Sequence, residues 1–114
     1  MILAFTGHRN KQARIEDLKH IFDIYPNAFI LHGGAVGFDT QVNNIARELN
    51  RNIQVLPPDY SLFGKFAPLI RDKFIAAKAD ILIALYDGRH KGGTFYTISQ
   101  AHKLGKQVIL LHPL

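Results

Sequence analysis

Phe29-Ile30-Leu31-His32-Gly33-Gly34-Ala35-Val36-Gly37-Phe38-Asp39 is the stretch whose reading decides the fold. An apolar run enters it, three glycines within five positions turn it, and a helical pattern leaves it. Downstream, Val42, Ile45, Ala46 and Leu49 recur on one helical face while Asn43, Asn44, Arg47 and Asn50 take the other. The reading is a strand, a glycine turn and a helix N-terminus. Glycine admits positive φ and lets the backbone approach another group closely. A helix start aims unpaired N–H groups and the positive end of its dipole at the same point, so the expected occupant is an anion, with phosphate first.

Working outward, the pattern repeats on both sides. Ile2-Leu3-Ala4-Phe5 lacks polar alternation, as a strand buried on both faces does, and ends in the polar loop Thr6-Gly7-His8-Arg9. Ile15, Leu18, Phe22 and Tyr25 then recur at helical spacing until Pro26. On the far side, Asn52 to Leu56 reads as a third strand stopped by Pro57-Pro58, and Asp59 to Phe66 as a loop or lid without a clean period. Pro68 suits the first turn of a helix whose buried face is expected to be Ile70, Phe74 and Ala77. Asp80 to Leu85 is a fourth strand, followed by a second glycine-bearing loop, Tyr86 to Gly93. From Thr94 a helix with Phe95, Ile98 and Ala101 inward is expected, capped by Gly105 before a fifth strand, Val108 to Leu111.

Buried-type strands alternating with helices predict an α/β fold. The expected form is a three-layer sandwich on a mostly parallel five-stranded sheet, with residues 1–114 as one domain. In such sheets the ligand crevice lies beyond the strand C-termini. Three loops fall there: Thr6 to Arg9, His32 to Asp39, and Tyr86 to Thr94.

Composition narrows the function. The chain is 47% hydrophobic and 20% charged, ordinary for a soluble globule. No apolar run approaches the roughly 18 residues of a membrane span, so no membrane partner is expected. Met1 leads straight into a short apolar segment without a basic region, which predicts a cytoplasmic protein. Zero cysteines exclude thiol nucleophiles and thiolate metal sites. The six histidines show no metal-ligand spacing, so no metal is expected. A net charge of +5 favours acidic partners. The basic residues are scattered and form no basic helix or arginine arm, which disfavours extended nucleic-acid binding.

The paired glycine loops carry the strongest signal. Gly92-Gly93-Thr94 opens a helix as Gly33-Gly34-Ala35 does, so two helix N-termini face one ligand, and Thr94 either caps its helix or donates to phosphate. Neither loop has the Lys-Ser/Thr of a P-loop, and no G-x-G-x-x-G occurs. Arg9 and Arg71 are candidate phosphate clamps, because guanidinium binds phosphate bidentately. Two readings stand for Asp39: stabilising a helix N-terminus, or accepting a hydrogen bond from a ribose hydroxyl or a loop N–H. His8 and His32 lie at the crevice as polar contacts, His32 chiefly as a structural hydrogen-bonding group. Tyr60, Phe63 and Tyr86 are read as core packing or base stacking. Asp87, beside Gly88, is the carboxylate best placed for chemistry, or an ordinary turn residue.

With these residues in view the chain resembles the SLOG superfamily, which groups the DprA/Smf proteins with the LOG "lysine decarboxylase-like" proteins, and within it the small YspA-like branch. The matching pieces are Thr6-Gly7-His8-Arg9, His32 to Asp39, Ala67-Pro68-Leu69-Ile70-Arg71, and Gly92-Gly93-Thr94 after an apolar strand. The resemblance implies a Rossmann-like fold that binds a nucleotide or nucleotide-derived ligand, with no further cofactor required, often as a homodimer or higher homo-oligomer. The expected ligand-binding set is Thr6, Gly7, His8, Arg9, His32, Gly33, Gly34, Ala35, Gly37, Asp39, Arg71, Gly92, Gly93 and Thr94. Some branches hydrolyse the N-glycosidic bond of nucleoside monophosphates with P-G-G-x-G-T-x-x-E, and Thr97 stands here where that glutamate falls. Sensing or carrying a ligand is therefore the first expectation. Glycosidic cleavage is the second, with Asp87 or Asp39 replacing the glutamate and Arg71 matching the arginine approximately. Single-stranded nucleic-acid binding, as in the DprA branch, is the third.

Overall fold

The computed structural model describes residues 1–114. Five strands, β1 (Ile2–Gly7), β2 (Phe29–His32), β3 (Ile53–Val55), β4 (Ile81–Leu85) and β5 (Gln107–Leu111), form one sheet in the order β3-β2-β1-β4-β5. Every pairing is parallel, so the sheet is wholly rather than mostly parallel. The helices are α1 (Ile15–Ile24), α2 (Phe38–Glu48), α3 (Tyr60–Phe63), α4 (Ala67–Lys78) and α5 (Gly93–Lys103). None is long and apolar enough to cross a membrane.

The chain winds outward from β1 to β3 and then returns to the other side of β1 to lay down β4 and β5. This reversal puts α1 and α2 on one face and α4 and α5 on the other. The first face buries Phe5, Leu18, Phe22, Phe38, Val42 and Ile45. The second is built from small residues, with Ala4, Ala76, Ala79, Ala84 and Ala101 beside Leu31, Leu82 and Ile98. Small side chains let α4 and α5 lie close to the sheet. Strand order reverses between β1 and β4, and a crevice opens beyond their C-termini.

Local chemistry closes α5 as the sequence predicts. Gly105, at φ +70°, follows α5, and the Lys106 N–H reaches the Ala101 carbonyl at 2.9 Å. Asn50, at φ 55°, does the same after α2, where the Arg51 N–H bonds Ala46. The Arg51 side chain then donates to the carbonyls of Phe22, Tyr25 and Ala28, pinning the end of α1.

Three expectations change. On α5 the buried residues are Thr94, Thr97, Ile98 and Ala101, and Phe95, expected inward, is only part-buried. Asp59 to Phe66 is not an open loop: Asp59 caps the short α3 by accepting from the Leu62 N–H, and a 3-10 turn, Gly64–Phe66, leads into α4. Helix α4 is also rotated from its expected face, burying Asp72, Ile75 and Ala76 while Phe74 is half exposed. Its apolar residues lie on two competing stripes, and the small Ile75-Ala76-Ala79 stripe is the one that fits against the alanine-rich sheet face. Phe63, Ile70 and Phe74 instead line a surface hollow against Leu56 and Pro57.

Candidate functional site

A cavity of about 420 Å³ opens at the switch in strand order. From β1 and the loop after it come Thr6, Gly7, His8 and Arg9, and from the first glycine loop and the start of α2 Gly33, Ala35 and Asp39. The second glycine loop supplies Gly92, Gly93 and Thr94, and α4 supplies Arg71. The three loops predicted to converge do so. Phe5, Asn10, Pro68, Leu69, Asp72, Ile75 and Arg89 also line the crevice and lie outside the expected ligand-binding set. His32, Gly34, Gly37 and Asp87 do not line it.

The first glycine loop is held by the protein's own groups. The His32 Nδ1 accepts from the Gly34 N–H at 3.0 Å, while its Nε2 lies 2.9 Å from the Asn43 side-chain oxygen. The ring is therefore the Nε2–H tautomer, and it ties the loop to α2. Gly37, at φ +81°, packs so closely on the Arg9 and His8 carbonyls that a Cβ has no room. Gly33 gives its space to the Arg71 guanidinium, whose Nη1 donates to the Gly33 carbonyl at 2.8 Å. These glycines admit close approach, but by an arginine and a neighbouring loop.

Asp39 fills the start of α2. One carboxylate oxygen accepts from the Ala35 N–H at 3.1 Å, placing a negative charge at the helix's positive end. The other, Oδ1, is buried without a hydrogen-bond partner. Burial pushes the Asp39 pKa up, against the lowering pull of the Ala35 N–H, His32, Arg71 and the Gly33 N–H. The anion position at α2 is thus already taken by a side chain. Both helices start from a glycine without a side-chain cap, but the first turn of α5 holds no acidic residue, and the carboxylate that comes near it is Asp72 of α4, at Gly93.

A polar bridge crosses the floor between the two loops. Arg71 Nε donates to Asp72 Oδ1 at 2.8 Å, and its Nη1 holds Gly33, leaving Nη2 without a protein acceptor. Asp72 is buried, and its other oxygen sits 3.2 Å from where a Cβ on Gly93 would lie. Burial raises the Asp72 pKa, opposed by Arg71 and by the Thr97 hydroxyl, while the charge on Asp39 adds to the rise. Thr97 is fully buried and donates to the Gly93 carbonyl at 2.8 Å. No periodicity in the sequence distinguishes Asp72 from a solvated helix residue. Its position next to Arg71 was the available signal.

The rim is basic. Arg9 is exposed at the crevice mouth, and Arg89 lines it while its guanidinium grips both oxygens of Asp87. This grip holds the Asp87 carboxyl well below the usual range, so Asp87 is an ionised anchor for Arg89. His8 is buried beside it. The Asp87 N–H lies 3.2 Å from His8 Nε2, and burial pushes the histidine pKa down despite the neighbouring carboxylate. Tyr86 bonds the Arg89 carbonyl, whereas Tyr60 and Phe63 line the separate hollow.

Fold and site together define an all-parallel α/β domain of Rossmann-like form, with a polar crevice at its topological switch point. No protein-family model, curated protein or solved structure matches the chain.

Proposed function

We propose that this chain binds a nucleotide or nucleotide-derived ligand in the crevice, as a sensor or carrier, with the phosphate at the start of α5. One observation carries the reading: of the two glycine-loop helix starts, α5 alone has no acidic residue in its own first turn, and it shares the crevice with Arg9 and Arg89, with Asp72 of α4 approaching it only from below at Gly93. The Gly92 and Gly93 backbone and the Thr94 hydroxyl are the proposed phosphate donors. Arg71 keeps the two loops in register, its charge largely matched by Asp72. The resemblance to the SLOG superfamily supports the same ligand class. It is also the ground for proposing a cytoplasmic protein that assembles as a homodimer or larger homo-oligomer.

Calorimetric titration of nucleoside mono- and diphosphates, ADP-ribose and NAD tests the proposal. Saturable binding of at least one is expected, weakened by Arg9→Gln. A folded chain that binds none of them rejects it.

A second reading, N-glycosidic cleavage of the bound nucleotide, is favoured by the buried Asp39 and Asp72, whose raised pKa values suit acid-base work. Release of free base on incubation with the tightest-binding nucleotide, detected by chromatography, supports it. Bound nucleotide that stays intact rules it out.

A further inference from the structure

Asp87 lies between two basic side chains, and only one of them holds it. The Arg89 guanidinium grips it through Nε, 3.0 Å from each carboxylate oxygen, and through Nη2, 2.5 Å from Oδ2. On the other side His8 Nε2 stands 3.1 Å from Asp87 Oδ1 and 3.2 Å from the Asp87 N–H. The neutral imidazole accepts from that N–H. A protonated ring would donate to Oδ1 instead.

The grip of Arg89 is readily exchanged. Its side chain is 43% exposed and that of Asp87 23%, and an ion pair so open to water holds weakly. Arg89 also lines the crevice together with Gly92, Gly93 and Thr94 at the start of α5. Gly88 and Gly92 flank it at positive φ, with nothing within 4 Å of a Cβ on either, so this turn has room to move. Asp87 stays behind when the guanidinium leaves, because the Arg89 N–H donates to its Oδ1 at 3.2 Å. It then faces His8. Burial, with the charges of Arg89 and Lys11, favours the neutral ring against the pull of Asp87. Taking Arg89 away lifts one of these restraints and leaves the carboxylate unmatched. Tyr86 is the other titratable group beside His8, its ring 6.1 Å away. The remaining acids of the crevice, Asp39 on α2 and Asp72 on α4, are engaged by the Ala35 N–H and by Arg71.

We propose that Arg89 is a transferable phosphate ligand: when an anion enters at the start of α5, the guanidinium passes from Asp87 to the anion and a protonated His8 replaces it on the carboxylate. The exchange draws one proton from solvent, so anion affinity rises as pH falls through the histidine range. It rests on the phosphate position proposed above and adds proton-coupled regulation to it. Arg89 is the binding residue, and Asp87 and His8 are positioning residues.

Inorganic sulfate is the probe, being a dianion that does not titrate near neutral pH and carries neither base nor sugar. In the isotope-labelled full chain, the Gly93 and Thr94 amide resonances report the anion and the His8 ring nitrogens report protonation, with sodium chloride at equal ionic strength as reference. Saturating sulfate is expected to move both amides and to raise the proton affinity of His8 about tenfold, the effect of a close unmatched carboxylate. In Arg89→Gln that affinity is expected to be raised from the start and to ignore sulfate. In Asp87→Asn it should stay low with or without sulfate. Amides that move while His8 does not respond overturn the inference and leave the nucleotide reading standing. A His8 unchanged in folded Arg89→Gln, or still responsive to sulfate there, overturns it by removing Arg89 from the coupling. Amides that sulfate leaves unmoved overturn it as well, and the nucleotide titrations decide the nucleotide reading separately.

Discussion

The two glycine loops face one crevice, yet they are built for opposite purposes. In Gly33-Gly34-Ala35-Val36-Gly37 the contacts are internal: Arg71 against Gly33, Val55 against Gly34, and the Arg9 backbone against Gly37. The loop is braced by His32 and Asn43, and Asp39 supplies its own anion. In the second loop nothing lies within 4 Å of a Cβ placed on Gly88 or Gly92, and Gly93 meets only the Asp72 carboxylate. Similar glycine content therefore marks a closely packed wall on one side and an open turn on the other. The difference lies in what occupies the space that glycine leaves empty.

Four measurements break or sharpen this contrast, from the largest expected effect to the smallest. Gly37→Ala should be the most damaging, because a Cβ would strike backbone atoms that cannot rotate away and φ is positive. A loss of about 3 kcal/mol or more is expected in urea unfolding. Gly33→Ala meets the far end of a flexible side chain instead. It should cost about 2 kcal/mol by displacing the Arg71 hydrogen bond, while circular dichroism shows the fold retained. Gly92→Ala, at φ +96° in an exposed loop, should cost about 1 kcal/mol of stability but reduce nucleotide affinity more than Gly33→Ala does. Equal losses of affinity would show that the two loops are equivalent after all.

The smallest effect concerns pH. Asp39 and Asp72 have raised folded pKa values, so each contributes stability that is fully present below the ordinary carboxylate value and lost as pH rises through the folded one. Asp39→Asn removes this loss. It should be more stable than the native chain near neutral pH, by about 1 kcal/mol, with the advantage fading toward about pH 4, where the native carboxyl is protonated. Thermal melts of both chains across that range measure it.

Much of the molecule was legible before any coordinates. The unalternated runs Ile2–Phe5 and Ile81–Leu85 announced central strands because a strand covered on both faces has no polar side. Gly105 announced the end of α5 because a Schellman turn needs positive φ there. The crevice followed from topology, since parallel strands deliver their C-terminal loops to one edge.

Other features had no local signature. The face of α4 is ambiguous in the sequence because Ile70-Phe74-Ala77 and Ile75-Ala76-Ala79 both satisfy helical spacing, and only the alanine-rich sheet face selects between them. Asp72 read as an ordinary helix residue until that rotation turned it inward beside Arg71.

Sequence alone therefore determined the strand-loop-helix order and the three loops that meet, because periodicity and glycine placement are properties of neighbours along the chain. Tertiary structure decided the polarity of the crevice. It set Asp39 on one helix start, brought Asp72 up to the other at Gly93 and drew Arg71 across to Gly33. Burial and long-range contact fix which charges are matched, and those arise only when distant segments pack together.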